Sequence, residues 1–351
     1  MNKMQTTRIG VVGTGWWACF NHIPTLLEER GCEVAALCDR DAARVEQVGE
    51  KFGVAARFVD AAAMLEGAAP LDGVIVSTPH VLHIEPALAA LQAGCHVLVE
   101  KPLATNAEDA RRIAAVAKQA GREVVVPTGL NFTPWSRAAA EAVGAGGIGE
   151  LRHIVCQMGS PLADLFSGQP MIETEEHMFR PPPSTWADPE RAGGYAWGQL
   201  SHALAWALLV APFAAESVYC VDAPSRTGVD MYDAASIRLR GGATMTVSGA
   251  GTVPKHRATH TDIRIFGSEG MLLFDTERAR LEIVRHDRAD RVIPLSQEEA
   301  AYDGALPVRH FARICRGAES WNPSDAENGA HVAEIIDAMR RSARSGEVVS
   351  V

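Results

Sequence analysis

A glycine-rich turn lies directly between an apolar strand and a helix near the start of the chain. Arg8-Ile9-Gly10-Val11-Val12 has the composition of a buried strand, and Gly13-Thr14-Gly15-Trp16-Trp17-Ala18 follows it without a break. Two glycines at this spacing permit a tight turn and a close backbone approach, while the small Ala18 lets the next helix pack on the strand. The free N–H groups at the start of that helix suit a pyrophosphate. The stretch therefore predicts a dinucleotide-binding unit.

The next predicted strand, Glu33 to Cys38, ends at Asp39. An acid at this position receives ribose hydroxyls and repels a 2′-phosphate, whereas the neighbouring Arg40 could pair with one. We therefore expect NAD as the cofactor, with NADP possible.

Strands and helices continue to alternate as far as Thr128. The predicted strands are Asp72 to Val76, Cys95 to Val99 and Glu123 to Val126, and the predicted helices are Asp41 to Phe52, His80 to Gln92 and one that Asn106 caps and that runs to about Ala120. Strict alternation predicts a doubly wound parallel sheet over residues 1–128.

The strand that ends at Val99 runs straight into Glu100-Lys101-Pro102. Ligands bind at the carboxyl edge of an open α/β sheet, so a lysine on this rigid element can act on a molecule held there. Pro102 restricts the backbone of Lys101 and therefore the approach of the amine. The alternative interpretation is a surface ion pair of little energetic value.

Beyond Thr128 the pattern changes. A helix is predicted at Trp135 to Val143, a strand at Leu151 to Met158 and a helix at Tyr195 to Val210. Short β-rich runs then extend to Leu295, and two helices follow, about Glu298 to Arg316 and Ser324 to Arg344. These runs predict a second α/β domain, residues 129–351, with one large, mainly antiparallel open sheet. The irregular segment Gly159 to Ala192 is interpreted as a flap over the cleft or as a disordered insertion.

Composition excludes several classes of partner. The 351 residues favour two domains, and a hydrophobic fraction of 47% with a mean hydropathy of −0.01 is typical of a globular protein. The net charge is −10, and the chain lacks a dense basic run, so we expect neither nucleic acid nor an anionic membrane as partner. The polar start, Met1 to Thr7, predicts no signal peptide, and seven scattered cysteines favour reduced thiols in a cytoplasmic protein.

Several motifs occur together over nearly the whole chain. They are Gly13-x-Gly15-x-x-Ala18, Thr78-Pro79-x-x-x-His83, Glu100-Lys101-Pro102, Gly193-Gly194 before a helix bearing His202, and Gly267-Ser268-Glu269-Gly270. In this combination the chain resembles the glucose-fructose oxidoreductase, inositol dehydrogenase and rhizopine-catabolism (Gfo/Idh/MocA) family. Glu100-Lys101-Pro102 is the most specific of these pieces.

The resemblance implies an N-terminal Rossmann domain, a C-terminal α/β domain and NAD(P)-dependent oxidation or reduction at a carbinol carbon of a sugar, cyclitol or related polyol. It implies that Lys101 and His202 are the catalytic residues and act in proton transfer. The implied cofactor-binding residues are Gly13, Gly15, Trp16, Trp17, Asp39, Arg40, Ser77, Thr78, Pro79, His83, Glu100, Lys101 and Asn131. The implied substrate-binding residues are Lys101, Trp197, Gln199 and His202.

Three positions depart from the family pattern. Gly198 stands where members usually carry an aspartate four residues before the histidine, and the neighbouring Gln199 cannot take a proton. His80 replaces a common asparagine, and Thr133 a common arginine.

Other interpretations stay open for single residues. His202 can be a core histidine, and Trp197 can be ordinary packing, although a flat ring also suits the C–H face of a polyol. His177 has no second histidine at ligand spacing, so no metal is expected.

For the whole chain, the alternatives are a dihydrodiol or other non-sugar dehydrogenase and a non-catalytic cofactor-sensing regulatory protein. A sheet covered on one face only also predicts a homodimer or homotetramer.

Overall fold

The computed structural model describes residues 6–351. Residues 1–5 lie outside the described part. The prediction that the chain starts without a signal peptide concerns mainly these residues. The strands are β1 Thr7–Val12, β2 Cys32–Cys38, β3 Arg57–Phe58, β4 Gly73–Val76, β5 His96–Val99, β6 Val124–Val125, β7 Leu151–Gly159, β8 Ala215–Pro224, β9 Asp230–Leu239, β10 Thr244–Ala250, β11 His260–Gly267, β12 Gly270–Asp275, β13 Arg280–Arg285, β14 Arg291–Val292 and β15 Val349–Ser350. The helices are α1 Ile23–Glu28, α2 Ala42–Phe52, α3 Ala61–Gly67, α4 Ile84–Gln92, α5 Ala107–Ala120, α6 Pro134–Gly144, α7 Ala163–Phe166, α8 Pro183–Trp186, α9 Ser201–Val210, α10 Ala305–Cys315 and α11 Ala326–Ser345.

The chain forms two compact units. The first runs as far as Pro127 and adds residues 170–182 and 304–330, and the second holds residues 128–169, 183–303 and 331–351. The assignment of cofactor binding to residues 1–128 and of substrate binding to residues 129–351 stays a prediction.

The first unit contains the predicted doubly wound parallel sheet. Its six strands lie in the order β3-β2-β1-β4-β5-β6, and the paired strands are parallel throughout. The buried runs Val74–Val76 and Val97–Val99 explain why these segments form central strands, since both faces of a parallel sheet are covered. The short edge strand β3 carries no apolar run and was not predicted.

Helix ends in this unit follow local chemistry. The side chains of Asp41, Asp60 and Asn106 accept backbone N–H groups at the starts of α2, α3 and α5. Gly53 and Gly121 end α2 and α5 in the left-handed conformation. The predicted cap at Asn106 is confirmed.

The second unit contains the predicted large sheet. Nine strands lie in the order β14-β13-β12-β11-β7-β10-β9-β8-β15, and within the described residues β7 pairs with β10 in parallel while the other neighbours are antiparallel. Helices α6 and α9 pack together, and α9 lies against β7 and β11. Trp206 of α9 is fully buried, stacks on Phe274 with ring centroids 4.2 Å apart and donates to Ser136 Oγ at 2.7 Å.

The opposite face of this sheet is exposed in a single chain. Residues alternate between buried and exposed along β8 and β9. Tyr219, Val221 and Tyr232 stand on the outer side with 43%, 51% and 43% of their surfaces exposed.

Three segments differ from the expected elements. The helix expected from Glu298 begins only at Ala305, because the preceding residues form turns. The helices expected after the Gly13 turn and from Tyr195 both start with a π-helical segment, Ala18–His22 and Ala196–Leu200. Such segments insert one extra residue into a turn, and periodicity does not reveal them.

Gly193-Gly194 lets a carboxylate cap the second π-helical segment. Gly194 has φ +111°, and a Cβ atom there would lie 2.1 Å from Asp230 Oδ1. The other oxygen of Asp230 accepts the Ala196 N–H at 2.6 Å. The glycine is thus needed so that Asp230 can approach the start of the helix that carries His202.

Asp230 belongs to a buried acidic cluster around one arginine. The Arg340 guanidinium lies 3.3 Å from Asp230, 3.6 Å from Asp233 and 2.5 Å from Asp222. Burial and the neighbouring Asp230 carboxylate raise the pKa of Asp233 well above its usual value, although Arg340 opposes this. Arg340 therefore connects α11 to the strand whose first residue caps the His202 helix.

We expect the substitution Gly194→Ala to destabilise the protein far more than Gly121→Ala. Both glycines have positive φ, which costs an alanine on the order of 1–3 kcal/mol. At Gly121 nothing lies within 4 Å of the added Cβ, whereas at Gly194 the methyl group meets Asp230. Overpacking should add roughly 1–3 kcal/mol. Urea unfolding of both variants measures the difference, and equal losses would contradict the role given to Asp230.

Among residues 6–351, no helix combines the length and apolarity needed to cross a membrane.

Candidate active site

Backbone hydrogen bonds continue the parallel sheet beyond the ends of its strands. The Gly13 N–H donates to the Cys38 carbonyl at 2.8 Å, Ser77 N–H to Val12 at 2.8 Å and Glu100 N–H to Val76 at 2.9 Å. These bonds bring the Gly13 turn, the Ser77 loop and Glu100 to one edge of the sheet. The expected grouping of these predicted site residues at the carboxyl ends of the strands is present.

The two glycines of the turn meet different requirements. Gly13 has φ +91°, and a Cβ there would lie 2.6 Å from the Ser77 carbonyl group, so only glycine fits. A Cβ on Gly15 would meet nothing within 4 Å, so the backbone there borders open space. Space beside Gly15 and the start of a helix fit the pyrophosphate of NAD.

Asp39 is held in place at the end of β2. One carboxylate oxygen accepts the Thr14 N–H at 2.9 Å and the Thr14 hydroxyl at 3.1 Å, and the other accepts the Asp41 N–H at 3.0 Å. Arg44, on α2, lies 3.6 Å from the same carboxylate, whereas Arg40 is exposed. A fixed carboxylate beside the glycine turn suits ribose hydroxyls. Arg44 is a second cation near Asp39 that the sequence interpretation did not single out.

Trp16 and Trp17 belong to an aromatic cluster on the glycine turn. The Trp16 indole N–H donates to His177 Nδ1 at 2.8 Å, and the His177 ring stacks on Phe20 with centroids 4.1 Å apart. Trp17 lies against Phe20 at 5.8 Å. Residues 170–182 of the segment interpreted as a flap thus pack on the nucleotide turn of their own unit. His177 therefore packs among aromatic side chains. Residues 6–351 contain no group of three or more side chains suited to a metal.

His83 lies inside the fold. Its Nδ1 is 2.8 Å from the Pro102 carbonyl and its Nε2 is 2.9 Å from the Thr78 carbonyl. Burial lowers the pKa of His83, although both carbonyls oppose this, so the neutral ring donates to one of them. His83 therefore ties the Thr78-Pro79 loop to the segment after Lys101. The buried His80 ring lies 6.2 Å from it.

Glu100 turns inward and Lys101 follows it. The Glu100 side chain is buried, its Oε2 accepts the Lys101 N–H at 3.1 Å, and its Oε1 lies 2.9 Å from His22 Nε2. Burial lowers the pKa of Lys101 to about 8, while the Glu100 carboxylate acts in the opposite direction. An amine with this pKa can take up or release a proton near neutrality.

The second unit holds Gln199 and His202 on consecutive parts of one helix. Gln199 lies in the π-helical segment, and its Oε1 accepts the Ser160 hydroxyl at 3.4 Å. That hydroxyl also lies 3.0 Å from the buried Tyr195 hydroxyl. His202 is 5% exposed, and its ring meets the Tyr302 ring edge-on at 5.3 Å. Gln199 is thus fixed from the sheet side, and Tyr302 is a neighbour of His202 that the sequence did not reveal.

The structure gives physical reasons for two departures from the family pattern. A Cβ on Gly198 would lie 3.1 Å from the Phe166 ring and 3.2 Å from the Trp186 ring, so an aspartate would crowd both. Thr133 caps α6, since its Oγ1 accepts the Ser136 N–H at 3.2 Å.

Two further predicted site residues lie inside the second unit. Asn131 is buried and donates from its side-chain amide to the Ala205 carbonyl at 3.1 Å, which ties its loop to α9. Trp197 is 5% exposed. Their roles toward cofactor and substrate stay predictions.

Comparison with known proteins identifies the class. The family described as "Oxidoreductase family, NAD-binding Rossmann fold" (GFO_IDH_MocA) matches residues 7–128. The "GFO/IDH/MocA C-terminal domain" matches residues 136–273.

Similarity to curated relatives and to a solved structure fits the family matches. The chain is similar to inositol 2-dehydrogenase 3 of Saccharopolyspora erythraea, 39% identical over 41% of this chain and 43% of the relative. It is also similar to 1-carboxy-3-chloro-3,4-dihydroxycyclo hexa-1,5-diene dehydrogenase of Comamonas testosteroni, 31% identical over 56% of this chain and 45% of the relative. These matches span less than half the length of each relative.

The structure of levoglucosan dehydrogenase in complex with NADH and L-sorbose has the same fold. Its TM-score is 0.76 at 21% identity, with 99% of both chains covered. The two family matches, the parallel sheet with its glycine turn and the mixed sheet lead to one conclusion: the chain belongs to the Gfo/Idh/MocA family of oxidoreductases, and its first unit is an NAD-binding Rossmann domain.

Proposed function

We propose that the protein is an NAD-dependent dehydrogenase that acts on a carbinol carbon of a sugar, cyclitol or related polyol. Lys101 carries the proposal, because it stands at the end of a central strand of the NAD-binding sheet with a pKa of about 8. Inositol 2-dehydrogenase among the relatives supports a polyhydroxylated substrate.

Cofactor binding and proton transfer are assigned to different residues of the chain. NAD, when bound, accepts or supplies the hydride. Gly13, Gly15 and Asp39 bind and orient it: Gly13 permits the tight turn, Gly15 leaves open space beside the backbone, and Asp39 is a fixed carboxylate. Lys101 Nζ takes the hydroxyl proton in oxidation and returns it in reduction.

His202 is proposed as the second proton-transfer group and as a substrate contact. Position 198 supplies no carboxylate because it is a glycine, and Gln199 can bind a hydroxyl but cannot accept its proton. The proposal therefore gives Lys101 the larger share of proton transfer. Trp197 and Gln199 are proposed to contact the substrate.

A dihydrodiol is the second candidate substrate class. Two observations favour it: the missing carboxylate at Gly198 and the similarity to a dehydrogenase of a dihydroxylated cyclohexadiene. Such a ring is flatter and less polar than a sugar, and it needs fewer polar contacts.

Absorbance at the NADH band tests the proposal directly. Purified protein is mixed with NAD or NADP and a panel of polyols, aldoses and dihydrodiols, and the reverse reaction is run with NADH. We expect turnover on at least one of the hydroxylated rings. NAD binding without turnover on any member of the panel would favour the cofactor-sensing alternative.

Replacing Lys101 by methionine should slow turnover on the order of 10²-fold or more, because methionine keeps the bulk and removes the amine. NAD affinity should change little, since Gly13, Gly15 and Asp39 are untouched. Steady-state kinetics and NAD titration measure the two effects. Lys118→Met on the exposed surface of α5 is the matched control. A folded Lys101→Met protein with near-normal turnover would refute the assignment.

The rate should depend on pH in opposite ways in the two directions. Oxidation needs the free amine, so kcat/KM for the alcohol should rise with pH and level off above about 8, the pKa of Lys101. Reduction needs the ammonium form and should fall over the same range. Lys101→Met should lose this titration, and an unchanged profile in that variant would assign the pH dependence to another group.

NAD should bind more tightly than NADP, because the fixed Asp39 carboxylate accepts ribose hydroxyls and repels a 2′-phosphate. We expect a ratio of about tenfold or more, which corresponds to about 1.4 kcal/mol. Asp39→Asn should narrow the ratio. Isothermal titration at physiological salt measures both constants, and tighter NADP binding would show that Asp39 does not select the cofactor.

The outer face of the large sheet is proposed to join subunits into a dimer or tetramer. Tyr219, Val221 and Tyr232 expose apolar area there that a second subunit would bury. Light scattering should give a multiple of 37.6 kDa at micromolar concentration. Val221→Lys should shift the mass toward the monomer, whereas a wild-type monomer would remove the proposal.

A further inference from the structure

His22 is a buried histidine that the sequence motifs did not single out. It is the last residue of the first π-helical segment and has no exposed surface. Its Nε2 lies 2.9 Å from Glu100 Oε1, and the Trp17 ring meets it edge-on at 6.3 Å. A polar ring in this position contacts the carboxylate that precedes Lys101.

The neighbouring amide determines which ring nitrogen carries the proton. Asn21 Nδ2 donates to the Gly304 carbonyl at 2.9 Å and lies 3.3 Å from His22 Nδ1. Because an amide nitrogen donates and cannot accept, this contact requires Nδ1 to be the acceptor. A neutral ring then carries its proton on Nε2, the nitrogen that faces Glu100.

Glu100 has opposing influences on its charge. Burial alone raises the pKa of Glu100, but the contact with His22, followed by the charge of Lys101 and the nearby His83 ring, brings it below its usual value of 4.5. Among residues 6–351, these three titratable side chains act on Glu100. Its second oxygen is fixed by the Lys101 N–H. His22, whose Nε2 lies 2.9 Å from Glu100 Oε1, is therefore the side chain whose contact most favours a charged carboxylate behind Lys101.

We propose that His22 is a positioning residue for the reaction: its ring, in contact with Glu100 Oε1, keeps the Glu100 carboxylate ionised and in place, and Glu100 in turn orients Lys101 and supplies its counter-charge. This inference rests on the proposed role of Lys101 in proton transfer. The π-helical turn contributes by directing His22 inward from the same helix whose start borders the nucleotide turn.

Two variants at position 22 separate donation from packing. His22→Gln keeps an N–H donor, His22→Leu removes it, and neither side chain titrates. Each is made with native Glu100 and with Glu100→Gln. Urea unfolding of the four proteins between pH 5 and 8 provides a measurement that needs neither cofactor nor substrate.

We expect the leucine variant to be less stable than the glutamine variant at pH 8, and the deficit to shrink as the pH falls. Without a donor, burial raises the pKa of Glu100 above its unfolded value of 4.5, so the ionised form is penalised at high pH and the penalty disappears on protonation. The ratio of the two unfolding constants should change by about tenfold for each unit of that rise. With Glu100→Gln the deficit should not vary with pH. If His22→Leu alone fails to fold, Glu100→Gln should restore folding.

Kinetic measurements test whether the contact between His22 and Glu100 affects proton transfer at Lys101. For oxidation, the acid limb of kcat/KM should extend to lower pH in His22→Leu than in His22→Gln, because protonation of Glu100 removes the counter-charge that raises the pKa of Lys101. Native Glu100 is required, so Glu100→Gln should abolish the difference.

Each outcome has a distinct meaning. A stability deficit that is the same at every pH, or a leucine variant that Glu100→Gln does not rescue, would overturn the proposal and leave His22 a packing residue. A pH-dependent deficit with identical kinetic profiles would overturn its positioning role. Absence of turnover in the wild type would refute the proposed function instead, while unfolding would still decide whether His22 holds Glu100.

Discussion

Burial of the Glu100 carboxylate is the constraint on which the candidate site of the first unit depends. Backbone hydrogen bonds extend the sheet past Val76 and Val99 and carry Glu100 inward with the strand. An unpaired buried carboxylate is unfavourable, so the fold must supply donors and positive charge around it. The Lys101 N–H donates to one oxygen of Glu100, its ammonium supplies positive charge, and the His22 ring lies against the other oxygen.

The same arrangement sets the chemistry available at Lys101. Burial favours the free amine and Glu100 favours the ammonium. The balance lowers the pKa of Lys101 to about 8. His83 fixes the following segment through the Pro102 carbonyl, so the backbone on both sides of Lys101 is restrained. A positioned amine with a matched pKa is what proton transfer to or from an alcohol requires.

The second unit also contains buried carboxylates, and different groups compensate their charge. Asp230 caps the helix of His202, Arg340 compensates the acidic cluster, and Gly194 provides the space for their approach. Phe166 and Trp186 occupy the space that a side chain at Gly198 would need. The lost aspartate is thus part of a repacked surrounding and not an isolated substitution. The helix after the Gly13 turn and the helix of His202 both begin with a π-helical segment, a feature that often accompanies functional sites.

The sequence by itself determined the parallel sheet, the mixed sheet, the glycine turn and the place of Lys101 at a strand end. These follow from local patterns: apolar runs, capping residues such as Asn106 and the spacing of Gly13 and Gly15. Only the tertiary structure decided that His22 meets Glu100, that His177 pairs with Trp16, and that Asp230 and Arg340 support the His202 helix. The sequence separations are 78 for His22 and Glu100, 161 for Trp16 and His177, 34 for Ala196 and Asp230, and 110 for Asp230 and Arg340. A one-residue π insertion also changes which side chains face inward. Because such contacts depend on how distant elements pack, no local periodicity encodes them.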